Sequence, residues 1–459
     1  MNNFIKSDKN GSNVFWIPTI SPLTTLNAEH PSIEASRLAF KRPFAQANLG
    51  TYEKFDFLRE APYMGDIFDV LNIGFLAFPP LDPRRDSMKP EHIEYYELFL
   101  NQLSNLPWLI KVKESEIPLF KVKQIQDKLF IVPNVWWVVG SYSLYKEATK
   151  SSQLKLSKNS LIFEEEFRDL GKRIDEMPYA NIIFNHKTEL DLAASFIESK
   201  DLIFPADNLS HDPNATRWWK RTTAEFADWK DFLKTKYEIN NQDFDLGGGW
   251  AVGEGSLSLK VKNGQFKKGS ILLARVLESN QSGSLSFYQQ NILIGEINTK
   301  NSEDNIRWFE VGALKENTDI TIIATGNINV INALVLVSSN NLQKYKARAQ
   351  SYKNRIFDFK EANTKKDSTV LNYRQISPTQ YEVTISGLTK PQMLLFAQNF
   401  DSSWKLNGVP PFPVYSMING FNIDKDGKYE LSFEPQKYVV TGLIISGLTL
   451  LGCLILLLV

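Results

Sequence analysis

The chain has 459 residues, in which 52 Lys and Arg balance 52 Asp and Glu, and 43% of the side chains are hydrophobic. Balanced charge excludes the basic surface that grips nucleic acid, and the apolar content excludes a disordered chain. At ~100–200 residues per domain the length accommodates two to four domains. A single cysteine, Cys453, excludes a disulfide framework and a thiol nucleophile from the body.

Residues 1–240 read as a mixed α+β region in two parts, 1–140 and 141–240. DVLNIGFLAFPP (Asp69–Pro80) is a short apolar run stopped by two prolines, as in a buried strand. KPEHIEYYELFLNQLSNLP opens with proline and carries Ile93, Leu98, Leu100 and Leu103, which predicts a helix. From Trp108 the pattern alternates through Ile110 and Val112, then Leu119, Val122 and Ile125, predicting antiparallel strands up to about residue 140. EEEFRDLGKRIDEM reads as a helix and YANIIFNH as a strand. KTELDLAASFIES reads as a helix starting near Thr188, with Glu189 and Asp191 in its first turn. RWWKRTTAEFADWKDFLKTKY (Arg217–Tyr237) is expected to be a helix with Trp218, Phe226, Trp229 and Phe232 on much of one face.

After Asp245–Trp250 the helical pattern stops. Short runs broken by Gly, Asn, Ser and Asp predict a β-sandwich of about eight strands over 241–340, like a carbohydrate-binding module. A charged helical linker, 341–368, leads to a small β-domain, 369–437. The last segment, 438–459, reads as a transmembrane helix: Val439–Val459 carries no charge and meets the ~20 residues a spanning helix needs. Tyr438 and Lys437 sit where an amphipathic ring and a cation favour the headgroup level. The expected fold class is therefore a mixed α+β N-terminal region, two all-β sandwich-like modules and one C-terminal membrane span. MNNFIKSDKNGSNVFWIPTI lacks the apolar run of a signal peptide. A complete chain of this kind would hold its body in the cytosol, whereas earlier spans in a longer product would place it outside.

The common catalytic motifs are missing: there is no Gly-x-Ser-x-Gly, no phosphate-binding Gly-x-x-x-x-Gly-Lys, no His-Glu-x-x-His and no Cys-x-x-Cys. His30, His92, His186 and His211 lie far apart. His186 with Glu189 and Asp191 reads as a helix start with ordinary acidic residues rather than a metal site. Asp243 and Asp245 fall at a linker, and Asp424-Lys-Asp426-Gly427 reads as a turn. No cofactor is identified, although Asp and Asn in the sandwich loops are suitable calcium ligands. Aromatic side chains make up 12% of the chain and cluster at Trp136-Trp137, Trp218-Trp219, Trp250 and Trp308-Phe309. Sugar C–H faces pack on flat rings, and this makes Trp250, Tyr288 and Trp308 of the sandwich the candidate carbohydrate contacts.

Several stretches resemble one family. LLFAQNFDSSWKLNG, with Asp401 and Trp404, leads to the Gly420-Phe421 turn and then to Phe433-Glu434-Pro435-Gln436-Lys437-Tyr438 before the last span. DIFDVLNIGFLAFPP and PLFKVKQIQDKLFIVPNVWWV add two strand motifs. Together they resemble bacterial multi-pass GT-C-type membrane glycosyltransferases, including YfhO-like and arabinofuranosyltransferase-like proteins. The resemblance implies an extracytoplasmic C-terminal region on the cell membrane, sandwich modules and a final span. Its partners would be a glycan or lipid-linked sugar and a polytopic glycosyltransferase subunit. In that family an acidic residue on a loop of the helical bundle is the expected catalyst, and no position here matches that motif. The catalytic residues are therefore unknown, and an accessory role in surface-glycan assembly is expected. The alternatives are a tail-anchored interaction protein and a stand-alone glycan-active enzyme with carboxylates in 141–250.

Overall fold

The computed structural model describes residues 5, 11–17, 30–34, 63–84, 86–113, 115, 117–139, 155–163, 174–184, 188–194, 196–197, 201–205, 210–211, 218–221, 249–252, 257–261, 267–278, 280, 282–302, 305–326, 329–351 and 369–458. The first strands are β1 (Asn13–Trp16), β2 (Ser32–Glu34), β3 (Ile73–Ala77), β4 (Leu109–Lys111), β5 (Leu119–Val122), β6 (Leu129–Val132), β7 (Asn134–Val139), β8 (Asn159–Phe163) and β9 (Asn181–Phe184). The middle of the chain supplies β10 (Leu202–Pro205), β11 (Ser210–His211), β12 (Trp218–Arg221), β13 (Gly249–Val252), β14 (Leu257–Val261) and β15 (Ile271–Glu278). It continues with β16 (Ser284–Gln289), β17 (Ile292–Asn298), β18 (Asn305–Ala313), β19 (Ile320–Thr325) and β20 (Asn329–Val337). The last set is β21 (Val370–Ser377), β22 (Gln380–Ser386), β23 (Gln392–Asn399), β24 (Trp404–Leu406), β25 (Phe412–Val414), β26 (Ile418–Ile423) and β27 (Gly427–Phe433). The helices include α1 (Met64–Val70), α2 (Pro90–Ser104), α3 (Glu189–Ala194), α4 (Ser339–Ser351) and α5 (Gln436–Leu458).

A five-stranded sheet, β2-β1-β3-β5-β4, opens the chain. Its β3, IGFLA, is buried along its whole length, as its apolar run between turn residues predicts. Helix α2 starts at the expected proline, but it buries Tyr96, Phe99 and Leu103, and leaves Leu98 exposed. The aromatic rings set the inward face because Phe78 stacks on Tyr96, their centroids 4.7 Å apart, and also meets Phe99.

The expected antiparallel run holds for β4 and β5, whereas β7 pairs in parallel with both β8 and β9. These strands belong to a seven-stranded sheet, β6-β23-β26-β25-β8-β7-β9. Strands from 1–240 and from 369–437 thus share one hydrogen-bonded sheet: Leu129–Val132 pairs with Met393–Phe396. β23 is buried on both faces. Leu394 and Phe396 enter one core with Tyr381, Val383, Trp404 and Leu431 of the four-stranded sheet β21-β22-β27-β24. Met393, Leu395 and Ala397 enter another with Trp136, Trp137 and Phe412. Trp136 and Trp137 are therefore core residues, and the Trp136 indole N–H donates to Asn159 Oδ1 at 2.9 Å.

The sandwich expected over 241–340 forms from two sheets, β12-β13-β20-β15-β18 with β10 beside β20, and β11-β14-β19-β16-β17. Its interior holds Leu272, Val276, Leu285, Phe287, Ile322 and Leu334. Trp218–Arg221, expected to open a helix, is instead a strand paired with Gly249–Val252; aromatic side chains suit a sheet as well as a helix face, and the cross-strand partner decides. Residues 222–237 lie outside the described residues, as do most of 164–177 and all of 352–368.

Helix α5 begins at Gln436, directly after β27. Among the described residues no helix is long and apolar enough to cross a membrane, so the span expected over Val439–Val459 is not a shown feature of the fold.

Candidate functional site

The two outer faces of the sandwich differ in what covers them. The outer face of the six-stranded sheet is packed under α3 and α4. Leu273, Trp308, Ala333 and Val335 from the sheet share one core with Leu192, Ala193 and Phe196 beside α3, and with Leu342, Tyr345 and Ala349 of α4. Those α4 residues recur at helical spacing, which gives the helix its buried stripe.

Polar contacts fix this packing. Thr188 caps α3: its Oγ accepts the Asp191 N–H at 3.2 Å, and its hydroxyl donates back to the Asp191 carboxylate. Asp191 Oδ1 in turn accepts the backbone N–H of Trp308 at 2.7 Å. Burial raises the Asp191 pKa above the usual carboxylate range, opposed by the bonds from Thr188 and Trp308 and by the charges of Arg275 and Arg307. Tyr345 donates its hydroxyl to Asp201 Oδ2 at 2.8 Å, and Asn341 donates to the other oxygen at 3.3 Å. Lys346 pairs with Glu310 across the rim at 2.6 Å.

The outer face of the five-stranded sheet has no such cover among the described residues. Strand β16 alternates strictly: Leu285, Phe287 and Gln289 point inward, and Ser284, Ser286 and Tyr288 outward. β19 does the same, with Thr321, Ile323 and Thr325 outward. Register brings these positions into rows: Ser284 lies opposite Thr325 and Asn298, Ser286 opposite Ile323 and Glu296, and Tyr288 opposite Thr321 and Leu293. Ser284 and Thr325 share a 2.8 Å hydrogen bond. Leu293 is 47% exposed and Ile323 36%, flanking the half-buried Tyr288. The face is a shallow platform with an apolar patch around one aromatic ring, bordered by hydroxyls, an amide and one carboxylate.

The structure separates the aromatic residues singled out from sequence. Tyr288 lies on this open face. Trp308 lies on the other sheet, 7% exposed and packed under the helices, and is unavailable to a ligand. Trp250 is on β13, in register with Ile331 of β20, so it too belongs to the six-stranded sheet. Sequence reasoning passed over Ser284, Ser286, Thr321 and Thr325. Their signal is the small polar residue at every second position of SLSFYQ and ITIIAT.

The remaining candidates resolve simply. Asp426 is a turn clamp, its carboxylate accepting the N–H groups of Gly387 and Leu388, each at 2.9 Å. His186, Asp243 and Asp245 lie outside the described residues. No group of three His, Cys, Asp or Glu side chains among the described residues is placed to hold a metal ion.

Neither a family model nor a curated protein matches the chain. Solved structures similar in part include CsCBM6-3 from Clostridium stercorarium in complex with cellobiose, at 16% identity and TM-score 0.21, covering 30% of this chain and 94% of that one. The C-terminal CBM6 of LamC from Zobellia galactanivorans matches at 13% identity and TM-score 0.20, covering 30% and 99%. Arabinofuranosyltransferase AftD from Mycobacteria matches at 12% identity and TM-score 0.29, covering 72% of this chain but only 30% of that protein.

Proposed function

We propose that the chain is a membrane-tethered glycan-binding component of a surface-glycan assembly system, and that it holds glycan on the open face around Tyr288. The observation that carries this reading is the uncovered face of the five-stranded sheet. A tyrosine ring between Leu293 and Ile323 suits the C–H face of a sugar, while Ser286, Thr321, Asn298 and Glu296 suit its hydroxyls. Binding by one such platform is weak, and tethering offsets that weakness by raising the effective concentration at the membrane. Chemistry belongs to a partner in this reading.

The tether is α5. What supports this is the sequence: Val439–Val459 carries no charge and has the ~20 residues that a spanning segment needs. Leu443, Ile445, Leu448 and Leu450 are each more than half exposed, an apolar surface that water does not favour and lipid does. The resemblance of 390–459 to the ends of GT-C-type proteins favours a body on the outer side.

Titrating the full chain in detergent with envelope oligosaccharides tests the platform. Tyr288→Ala is expected to weaken binding about fivefold, since an aromatic contact contributes on the order of 1 kcal/mol beyond its area. Unchanged affinity in both Tyr288→Ala and Ile323→Lys would remove the face from the site. The side of the membrane follows from labelling Ser286→Cys in intact cells with a reagent that cannot cross the bilayer. The only native thiol, Cys453, lies inside α5, so Cys453→Ser supplies a clean background.

A further inference from the structure

The strands that end the sheets are mostly short: β2, β4, β6, β9, β11, β12 and β24 span four residues or fewer. The two long ones of the sandwich, β17 and β18, close on each other, so tightly that a Cβ at Gly295 would stand 2.0 Å from the Val311 oxygen. β21 is the exception. It spans 8 residues, VLNYRQIS, and among the described residues it pairs with β22 alone. An open edge carries a row of backbone donors and acceptors, and proteins blunt such edges with proline, charge, bulges or short strands. β21 has no proline, and its one charge, Arg374, is held by Glu382 at 2.8 Å. Its bulge comes only at the end, between Gln375 and Ser377. Val370, Tyr373 and Ile376 are 51%, 38% and 45% exposed.

The register with β22 sorts the faces. Leu371, Tyr373 and Gln375 lie opposite Ile385, Val383 and Tyr381, which are buried in the core beneath the sheet. Val370, Asn372 and Arg374 lie opposite Ser386, Thr384 and Glu382 on the outer face. We propose that β21 pairs antiparallel with β21 of a second copy of this chain, about a two-fold axis beside Tyr373, and so joins two four-stranded sheets into one. The strand's own sequence selects this occupant. Opposite residues in an antiparallel pair share a face, so the axis passes beside a residue and never between two. At Tyr373 it sets ring against ring, Asn372 against Arg374, and exposed Val370 against exposed Ile376. At Arg374 it would oppose two guanidinium groups, and like charges directly opposite destabilise a sheet. At Asn372 or Gln375 the apolar ends meet no apolar partner. Gln436 and Lys437 of α5 border Gln380, Glu430 and Ser432 on the outer face, and an axis perpendicular to the sheet keeps the first turns of both α5 helices on the same side. The pairing does not rest on the glycan reading, but its consequence does: two Tyr288 platforms in one assembly hold one glycan with avidity.

The test is disulfide trapping in the full chain carrying Cys453→Ser, oxidised with copper phenanthroline in the membranes of the producing cells and read on a non-reducing gel. Opposite Cα atoms in an antiparallel pair lie about 4.5–5.5 Å apart, inside the ~4.4–6.8 Å that a disulfide spans. Tyr373→Cys is therefore expected to link to its own copy and run at twice the chain's mass. Val370→Cys alone is expected to stay monomeric, because its own copy lies six residues, roughly 20 Å, along the strand. The double variant Val370→Cys/Ile376→Cys is expected to link, and it leaves the Tyr373 ring in place. Adding Val370→Lys and Ile376→Lys to Tyr373→Cys is expected to cut the dimer about fivefold, the scale of lost cross-strand pairs replaced by like charges. Val370→Cys linking as readily as Tyr373→Cys would mean random collision and overturns the pairing. So does a monomer in both Tyr373→Cys and the double variant. Linkage of Tyr373→Cys to a protein of another mass overturns the second copy as the occupant of this edge.

Discussion

The six-stranded and five-stranded sheets of the sandwich close over the same interior, yet they treat their outer faces differently. In β20 the run Ala333–Val337 is buried at every position, while in β16 burial alternates residue by residue. A strand covered on both sides reads as continuous apolar sequence, and a strand with one wet face alternates. Helices α3 and α4 make the difference. They come from opposite ends of the sandwich sequence and meet on the six-stranded sheet, and among the described residues nothing comparable covers the five-stranded sheet.

Trp308→Ala tests the covered face most severely. The ring is buried between sheet and helices, so its loss is expected to cost about 3–5 kcal/mol of stability. Chemical denaturation of the full chain in detergent measures it. A cost under about 1 kcal/mol would mean that the helices do not clamp this face.

Gly295→Ala probes the edge where the open sheet meets the covered one. A Cβ at Gly295 would stand 2.0 Å from the backbone oxygen of Val311, and at the facing Gly312 (φ +151°) it would stand 2.6 Å from the Ile294 oxygen. Backbone must shift to admit the methyl, at an expected cost of about 1–3 kcal/mol. Gly269→Ala, where nothing lies within 4 Å but φ is +84°, isolates conformational strain from crowding. A smaller loss for Gly295→Ala than for Gly269→Ala would contradict the close approach.

Asp191 separates the faces by pH. Its folded pKa is raised by burial, so the folded state holds a proton that the unfolded state releases. The stability linked to that proton is complete below the unfolded carboxylate pKa of ~3.9 and is lost as pH rises through the raised folded value. Asp191→Asn keeps an acceptor for the Trp308 N–H and removes the charge. The stability of the variant relative to wild type is therefore expected to improve as pH rises through that window, read from paired denaturation curves. A flat difference would place the carboxylate in a better-solvated setting than its burial implies.

The strands of this molecule were largely legible in its sequence, and their partners were not. Short runs broken by Gly, Asn, Ser and Asp located β16 to β20, Thr188 located the start of α3, and proline located α2, because each of these signals is local. The pairing of Leu129–Val132 with Met393–Phe396 joins segments far apart in the chain, and period alone says which face a residue takes, not which strand lies beside it. The site shows the same division. Ring chemistry picked Trp308 and Tyr288 alike, but exposure depends on whether a remote helix lands on that sheet. Helical reading of Arg217–Tyr237 failed at Trp218–Arg221 for a related reason: the cross-strand partner lies beyond any local window.

The smallest stability effect belongs to Tyr288→Ala, and its smallness is the point. Tyr288 meets Thr321 and Leu293 across the sheet on a face with no helix over it among the described residues. Cross-strand pairs contribute roughly 0.2–1 kcal/mol each, so the variant is expected to lose less than about 1 kcal/mol of stability. A residue kept for packing would show the reverse pattern, with stability falling and ligand affinity following only through unfolding. Measured on the same preparations, Trp308→Ala should unfold early, yet below its midpoint hold glycan as wild type does. Tyr288→Ala should melt like wild type and hold glycan poorly. Exchange of these two behaviours would move the site to the covered sheet and require α3 and α4 to lift, a motion that native-state hydrogen exchange at the Trp308 amide would register directly.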